Sequence, residues 1–175
     1  MASSVDGELT ADEAPRVRVF LMRHSLAIQA DHGLTDEQRY LSAPGRARAT
    51  QMGQLLRARG VECDAIVTSP LVRAVQTAEL VQAALKPDGS APWVQVLPTL
   101  APGYPPRLPA EELAAFGVNV LVVGHEPGIS GLGAFLSSRP GFPPFRPGQI
   151  CALERGQPEW LLNPETETFE PLLLA

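Results

Sequence analysis

Short apolar runs that alternate with helical patterns constrain the fold of this chain most strongly. The runs at residues 17–22, 64–68 and 118–123 are typical of strands buried on both faces of a parallel sheet. Apolar residues recur at helical spacing over residues 52–59, 71–85 and 129–136. Strands that alternate with helices predict an α/β fold, here a three-layer α/β/α sandwich with a mainly parallel central sheet.

Turn and capping residues set the expected ends of the first two helices. Ser42 and Pro44 are suited to the start of the first helix, and Gly60 to its end. Ser69 and Pro70 are expected to cap and begin the second helix.

The second half of the chain contains shorter predicted elements. A strand is expected at 93–97, a short helix at 110–116 and an antiparallel pair at 149–153 and 159–162. Irregular loops are expected at 98–109, which holds five prolines, and at 140–147.

Length and composition limit the organisation and the partners. We expect a disordered tail at residues 1–15 and one domain at 16–175. The net charge of −5 argues against a nucleic-acid partner. No secretory signal or membrane span is evident, and two distant cysteines, Cys63 and Cys151, make neither a disulfide framework nor a zinc motif. We therefore predict a cytoplasmic protein with no membrane partner, in which both cysteines are small core residues.

Polar side chains follow three of the predicted strands. Arg23 and His24 end the first, Ser69 and then Arg73 follow the second, and His125 follows the run at 118–123. Ligands bind outside the carboxyl ends of strands in open α/β sheets, so these side chains are expected to converge. Arginine matches phosphate oxygens and neutral histidine is a nucleophile, a combination that favours phosphoryl transfer without a metal or cofactor.

Each of these residues, taken alone, also fits a structural role. A single histidine at a strand end is more often a hydrogen-bonded structural residue, and Arg73 alone suits a surface ion pair. Ser69 fits a helix cap better than a nucleophile, because no Gly-x-Ser-x-Gly elbow surrounds it. His32, in a polar loop, is expected to be solvated. The functional hypothesis therefore depends on the joint pattern.

Three motifs in order resemble the histidine phosphatase superfamily, also called phosphoglycerate mutase-like. They are Leu-Met-Arg-His at 21–24, Thr-Ser-Pro-Leu-Val-Arg-Ala-Val-Gln-Thr-Ala at 68–78 and Val-Val-Gly-His-Glu-Pro at 122–127. Their spacing resembles the short bacterial branch, the phosphohistidine phosphatases. The resemblance implies a phosphoglycerate mutase-like fold and a covalent phosphohistidine intermediate.

The resemblance also implies a role for each matching residue. His24 matches the nucleophile, Arg23 and Arg73 match the arginines that clamp the phosphoryl group, and His125 matches the second histidine of the phosphate pocket. Ser25 departs from the usual glycine or alanine after the nucleophile.

The acidic proton donor of larger family members has no clear counterpart here. Asp31, Asp36, Glu111 and Glu112 are weak candidates. A phosphoramidate nitrogen can take its proton from solvent and leaves more readily than an alkoxide, so the missing acid mildly favours phosphohistidine as substrate. The expected partner is therefore a phosphorylated protein carrying phosphohistidine, or else a small phosphate ester.

Two alternatives remain open at this point. The chain could be a small-molecule phosphomonoesterase of the same superfamily, which a substrate panel would reveal. It could also be a non-catalytic phosphate-binding module, which would bind phosphopeptides without turnover.

Overall fold

The computed structural model describes residues 17–30 and 33–174, and strands and helices alternate over most of this length. The strands in the described residues are β1 (Arg18–Arg23), β2 (Ala65–Thr68), β3 (Val94–Val96), β4 (Asn119–Gly124), β5 (Ile150–Glu154), β6 (Gln157–Asn163) and β7 (Thr168–Glu170). The helices are α1 (Ala43–Ala58), α2 (Val72–Leu85), α3 (Arg107–Leu113) and α4 (Gly128–Ser137). Short 3₁₀ turns lie at Asp36–Gln38, Pro98–Leu100 and Ala114–Phe116. The predicted tail at 1–15, together with Asp31 and His32, lies outside the described residues, and the single domain at 16–175 stays a prediction.

One sheet contains all of these strands, in the order β3-β2-β4-β1-β5-β6-β7. The first four strands in this order are mutually parallel, and β5, β6 and β7 continue the sheet with antiparallel pairings. β1 lies between β4 and β5, with Arg23 beside Gly124 and Met22 beside Ile150. The mainly parallel sheet and the terminal antiparallel pair are confirmed, whereas β7 was not predicted.

Helices cover both faces of the sheet and make the predicted three layers. Alternate residues of β1 point to opposite faces, so Phe20 and Met22 pack in one apolar cluster and Val19 and Leu21 in another. The first cluster includes residues of α1 and α2, and the second includes residues of α3 and α4. The α/β/α sandwich is therefore confirmed.

The first helix begins and ends where its capping residues predict. The Ser42 hydroxyl accepts a hydrogen bond from the Gly45 amide at 3.1 Å, and Pro44 lies in the first turn. Gly60 follows the helix with φ of +78°, a conformation that glycine adopts without strain.

Two predicted helix starts are wrong. α2 begins at Val72 rather than directly after Ser69, whose hydroxyl lies 2.6 Å from His125 Nε2 and accepts a hydrogen bond from the Leu71 amide at 3.3 Å ahead of the helix. α3 begins at Arg107, inside the segment predicted as an irregular loop. Pro109 fits there because the first turn of a helix needs no amide donor from its residues.

Neither cysteine forms a disulfide, and both pack against the core. Cys151 is buried, and Cys63 is half-buried beside the cluster that contains Phe20. Burial raises the pKa of each thiol to about 12, which keeps both protonated and unreactive. Across residues 17–30 and 33–174, the helices are too short or too polar to cross a membrane.

Candidate active site

The candidate residues lie at one edge of the sheet, directly after three neighbouring parallel strands. His24 follows β1, Ser69 follows β2 and His125 follows β4. Because β2, β4 and β1 are adjacent and parallel, their carboxyl ends lie side by side. The ring centroids of His24 and His125 are 5.0 Å apart, so the structure brings the two predicted histidines together.

The His24 ring is held in the tautomer that a nucleophile needs. Its Nδ1–H donates to the Ser25 carbonyl at 2.7 Å, and a carbonyl only accepts, so the neutral ring carries its lone pair on Nε2. Burial is the main cause that lowers the pKa of His24 to about 4; the Ser25 hydrogen bond opposes this shift, and the charges of Arg73 and Arg23 add to it. His24 is therefore neutral at physiological pH.

The guanidinium of Arg73 lies against this lone pair. Arg73 occupies the first turn of α2 and is 4% exposed. Its Nε–H donates to His24 Nε2 at 3.3 Å, while its Nη1 and Nη2 donate to the Asp36 carbonyl at 2.6 Å and to Asp36 Oδ2 at 2.9 Å. Asp36 thus fixes the plane of the guanidinium and aims one N–H edge at His24.

Arg23 adds a second cation at the end of β1. Its Nη1 donates to the Phe145 carbonyl at 2.7 Å, and its Nε is buried without a hydrogen-bond partner among the described residues. Burial lowers the pKa of Arg23 and the neighbouring Glu126 carboxylate raises it. Glu126 also accepts from the Phe145 amide at 2.7 Å, so Arg23 and Glu126 hold the same loop.

The His125 ring is neutral and only partly satisfied. Its Nε2 lies 2.6 Å from the Ser69 hydroxyl, and its Nδ1 is buried without a partner among the described residues. Burial is the main cause that lowers its pKa to about 3, and a proton on His24 and the charge of Arg73 act in the same direction. A buried nitrogen without a hydrogen-bond partner is costly, and His125 Nδ1 is therefore suited to bond a ligand.

Comparison with known proteins assigns the chain to a family. The family model for the histidine phosphatase superfamily (branch 1) matches residues 19–98. Phosphohistidine phosphatase SixA of Escherichia coli (strain K12) is 32% identical over 157 residues, which cover 85% of this chain and 94% of SixA. The chain belongs to the histidine phosphatase superfamily. It is accordingly a phosphatase.

Solved structures of phosphatases share the fold. The structure of SixA complexed with tungstate superposes with a TM-score of 0.75 at 32% identity, covering 87% of this chain and 100% of that chain. A putative alpha-ribazole-5'-P phosphatase from Escherichia coli superposes with a TM-score of 0.58 at 23% identity, covering 90% and 96%. The phosphoglycerate mutase-like fold expected from the three motifs is therefore confirmed.

The weak candidates for a proton donor do not fit that role where the structure describes them. Hydrogen bonds from Arg39 and Arg73 lower the pKa of Asp36, so its carboxyl is ionised rather than protonated. Glu111 pairs with Arg107 on the surface, and Glu112 accepts from the Thr99 hydroxyl at 2.8 Å. Asp31 lies outside the described residues.

The sequence analysis missed the roles of two residues that the fold brings to this histidine phosphatase site. Ser69, interpreted as a helix cap, contacts His125, and its position directly after a strand could have indicated this. Asp36, considered only as an acid, positions Arg73. Its segment lacks periodicity and lies 37 positions from Arg73, so no local pattern could have shown the pairing.

Proposed function

We propose that this phosphatase hydrolyses phosphohistidine in a protein partner through a phospho-His24 intermediate, with His24, Arg23, Arg73 and His125 as the catalytic residues. The observation that carries the proposal is the hydrogen bond from His24 Nδ1–H to the Ser25 carbonyl. This bond leaves the Nε2 lone pair directed at the Arg73 guanidinium, where a phosphoryl group would be bound.

In the first step His24 Nε2 attacks phosphorus as the P–N bond to the substrate imidazole breaks. The leaving nitrogen takes a proton from solvent and departs as neutral imidazole. Arg73 and Arg23 stabilise the charge on the equatorial oxygens, and His125 contacts the same group from the neighbouring strand end. In the second step water attacks phospho-His24, inorganic phosphate leaves and the Nε2 lone pair is restored.

A nitrogen leaving group fits the acid–base character of this site. Asp36, the described candidate acid that lies at the site, is held as a carboxylate by Arg73 and Arg39. A phosphoramidate requires no strong enzymic acid, whereas an alkoxide leaving group depends on one. The name of the Escherichia coli relative, a phosphohistidine phosphatase, supports the same choice.

The test is phosphate release from a phosphohistidine protein and from an aryl phosphate. We expect His24→Ala to lower kcat on both substrates by about a thousandfold or more, as loss of a covalent nucleophile does. Arg57→Ala is the matched control, because Arg57 is exposed in the last turn of α1 and should leave activity unchanged. Denaturation after brief labelling should give an acid-labile phosphate on the wild-type chain and none on His24→Ala.

Other outcomes would point elsewhere. Full activity of His24→Ala on both substrates would refute the mechanism. A strong preference for a sugar or nucleotide monophosphate would identify a small-molecule phosphomonoesterase.

We also propose that catalysis needs no metal, because two arginines supply the positive charge at the site. We expect activity to be unchanged after dialysis against a chelator. A loss that Mg²⁺ or Zn²⁺ restores would contradict this.

A further inference from the structure

A cavity of about 370 Å³ opens beside the cluster of His24, Arg73 and His125. One wall is the proline-rich segment 99–106 with Pro109, and the other is formed by residues 124–129 and Gly131, from the end of β4 into α4. His125 belongs both to this lining and to the catalytic cluster. The cavity is therefore continuous with the place where the phosphoryl group would be transferred.

The walls of this cavity are apolar and carry no positive charge. Five prolines, Leu100 and Ile129 contribute to the lining, and no lysine or arginine stands among the described residues that form it. The acidic side chain in the lining is Glu126, whose oxygens accept from the Phe145 amide and from the Ser130 hydroxyl. Such a site favours uncharged apolar groups and disfavours a second phosphate or an acidic side chain.

The proline-rich wall is rigid, which favours binding in the cavity. Proline fixes its own φ, so Pro102, Pro105, Pro106 and Pro109 lose little conformational entropy when a ligand is bound. The opposite wall includes the first turn of α4, where Ile129 is buried in the core. The cavity is thus largely formed before the substrate arrives.

We infer that this cavity binds an apolar side chain that flanks the phosphohistidine in the substrate protein. The inference rests on the proposed function and adds a substrate class to it. The volume exceeds what an imidazole leaving group requires, and the continuity through His125 places the extra space next to that group. Glycerol-like or sugar-like leaving groups would place hydroxyls against the apolar prolines, Leu100 and Ile129 of this lining.

The experiment uses phosphohistidine peptides that differ only in the residues on both sides of the phosphohistidine. Leucine, alanine and glutamate are compared, and the leaving imidazole is the same in all three. We expect kcat/KM to be about tenfold higher for leucine than for alanine, as burial of a leucine side chain allows. Glutamate should be poorer than alanine, because the carboxylate of Glu126 lies in the cavity lining and no lysine or arginine of that lining could pair with a second carboxylate.

A variant that fills the cavity tests whether the cavity causes the preference for leucine. A Cβ at Gly131 would have Pro106 Cγ as its nearest neighbour at 4.0 Å, so Gly131→Leu extends into open space. We expect it to reduce the leucine-to-alanine ratio to about one while hydrolysis of phosphoramidate, which has no flanking group, is unchanged. Gly141→Leu is the control, since a Cβ there meets nothing within 4 Å and Gly141 is not part of the lining.

A second variant covers the case in which Gly131→Leu does not fold. Tyr104 is half-exposed on the rim of the cavity, so Tyr104→Ala should lower the leucine preference severalfold without affecting the core. Equal rates for the three peptides would overturn the inference. So would a leucine preference that survives Gly131→Leu in a folded protein.

Failure of the proposed function would look different. In that case no phosphohistidine peptide would be hydrolysed while aryl phosphates still were. A preference for 2-naphthyl over phenyl phosphate that Gly131→Leu abolishes would then assign the cavity to an apolar small molecule and overturn its assignment to a protein side chain.

Discussion

Asp36 holds Arg73 in place with both its carbonyl and its carboxylate. The two Nη atoms of Arg73 are fixed on Asp36 at 2.6 Å and 2.9 Å, which leaves Nε to face His24. Because the Asp36 side chain is 55% exposed, its charge is screened by solvent, and its geometric effect on Arg73 outweighs its repulsion of phosphate.

The residue-scale prediction therefore concerns kcat more than KM. We expect Asp36→Ala to lower kcat about tenfold and to change KM less than about threefold. A displaced Arg73 guanidinium loses more of its stabilisation of the transition state than of its binding to the ground-state substrate. Asp36→Asn should recover most of the loss, since its amide oxygen still accepts from Nη2. Steady-state kinetics with an aryl phosphate measure both constants, and Glu37→Ala, an exposed acid in the same turn, is the control. An unchanged kcat in Asp36→Ala would show that Arg73 needs no such support.

At the scale of elements, the approach of α1 to α2 depends on a glycine. A Cβ at Gly53 would lie 2.7 Å from the Val81 carbonyl and 2.8 Å from the Ala84 Cβ. Alanine normally stabilises a helix interior by about 1 kcal/mol relative to glycine, but here it would force the two helices apart.

We therefore predict that Gly53→Ala lowers the free energy of unfolding by about 1–3 kcal/mol. Gly131→Ala in α4 should instead raise it by about 0.5–1 kcal/mol, because its Cβ has no neighbour closer than 4.0 Å. Urea denaturation of the two variants measures both changes. A higher free energy of unfolding for Gly53→Ala would mean that α1 and α2 move apart at less cost than their packing indicates.

Elements and site residues could be predicted from the sequence where the signal is local. The strands other than β7, the capping of α1 by Ser42 and the histidines directly after strands are encoded within a few residues. The contact of Ser69 with His125 and the pairing of Asp36 with Arg73 were not predicted, because each joins residues distant in sequence. In each case a tertiary contact overrides or adds to the local preference.

At the scale of the whole molecule, the sheet keeps two histidines neutral at its carboxyl edge. Burial lowers the pKa of His24 to about 4 and that of His125 to about 3, while both titrate near 6.5 in the unfolded chain. With their ring centroids 5.0 Å apart, protonation of one ring also disfavours protonation of the other. The unfolded chain therefore binds more protons than the folded chain between about pH 6.5 and pH 4.

Because the unfolded state gains protons first, acidification through this window destabilises the fold. The free energy of unfolding should fall by up to about 1.4 kcal/mol per pH unit for each histidine as the pH decreases from 6.5 towards 4. The double variant His24→Asn, His125→Asn lacks both titrations, so its stability should fall less steeply over the same range. Urea denaturation of both chains at pH 7, 5.5 and 4.5, in buffers free of phosphate, measures the difference in slope. Parallel curves would mean that the two histidines titrate alike in the folded and unfolded chains, and His24 would then lose its neutral lone pair well before pH 4.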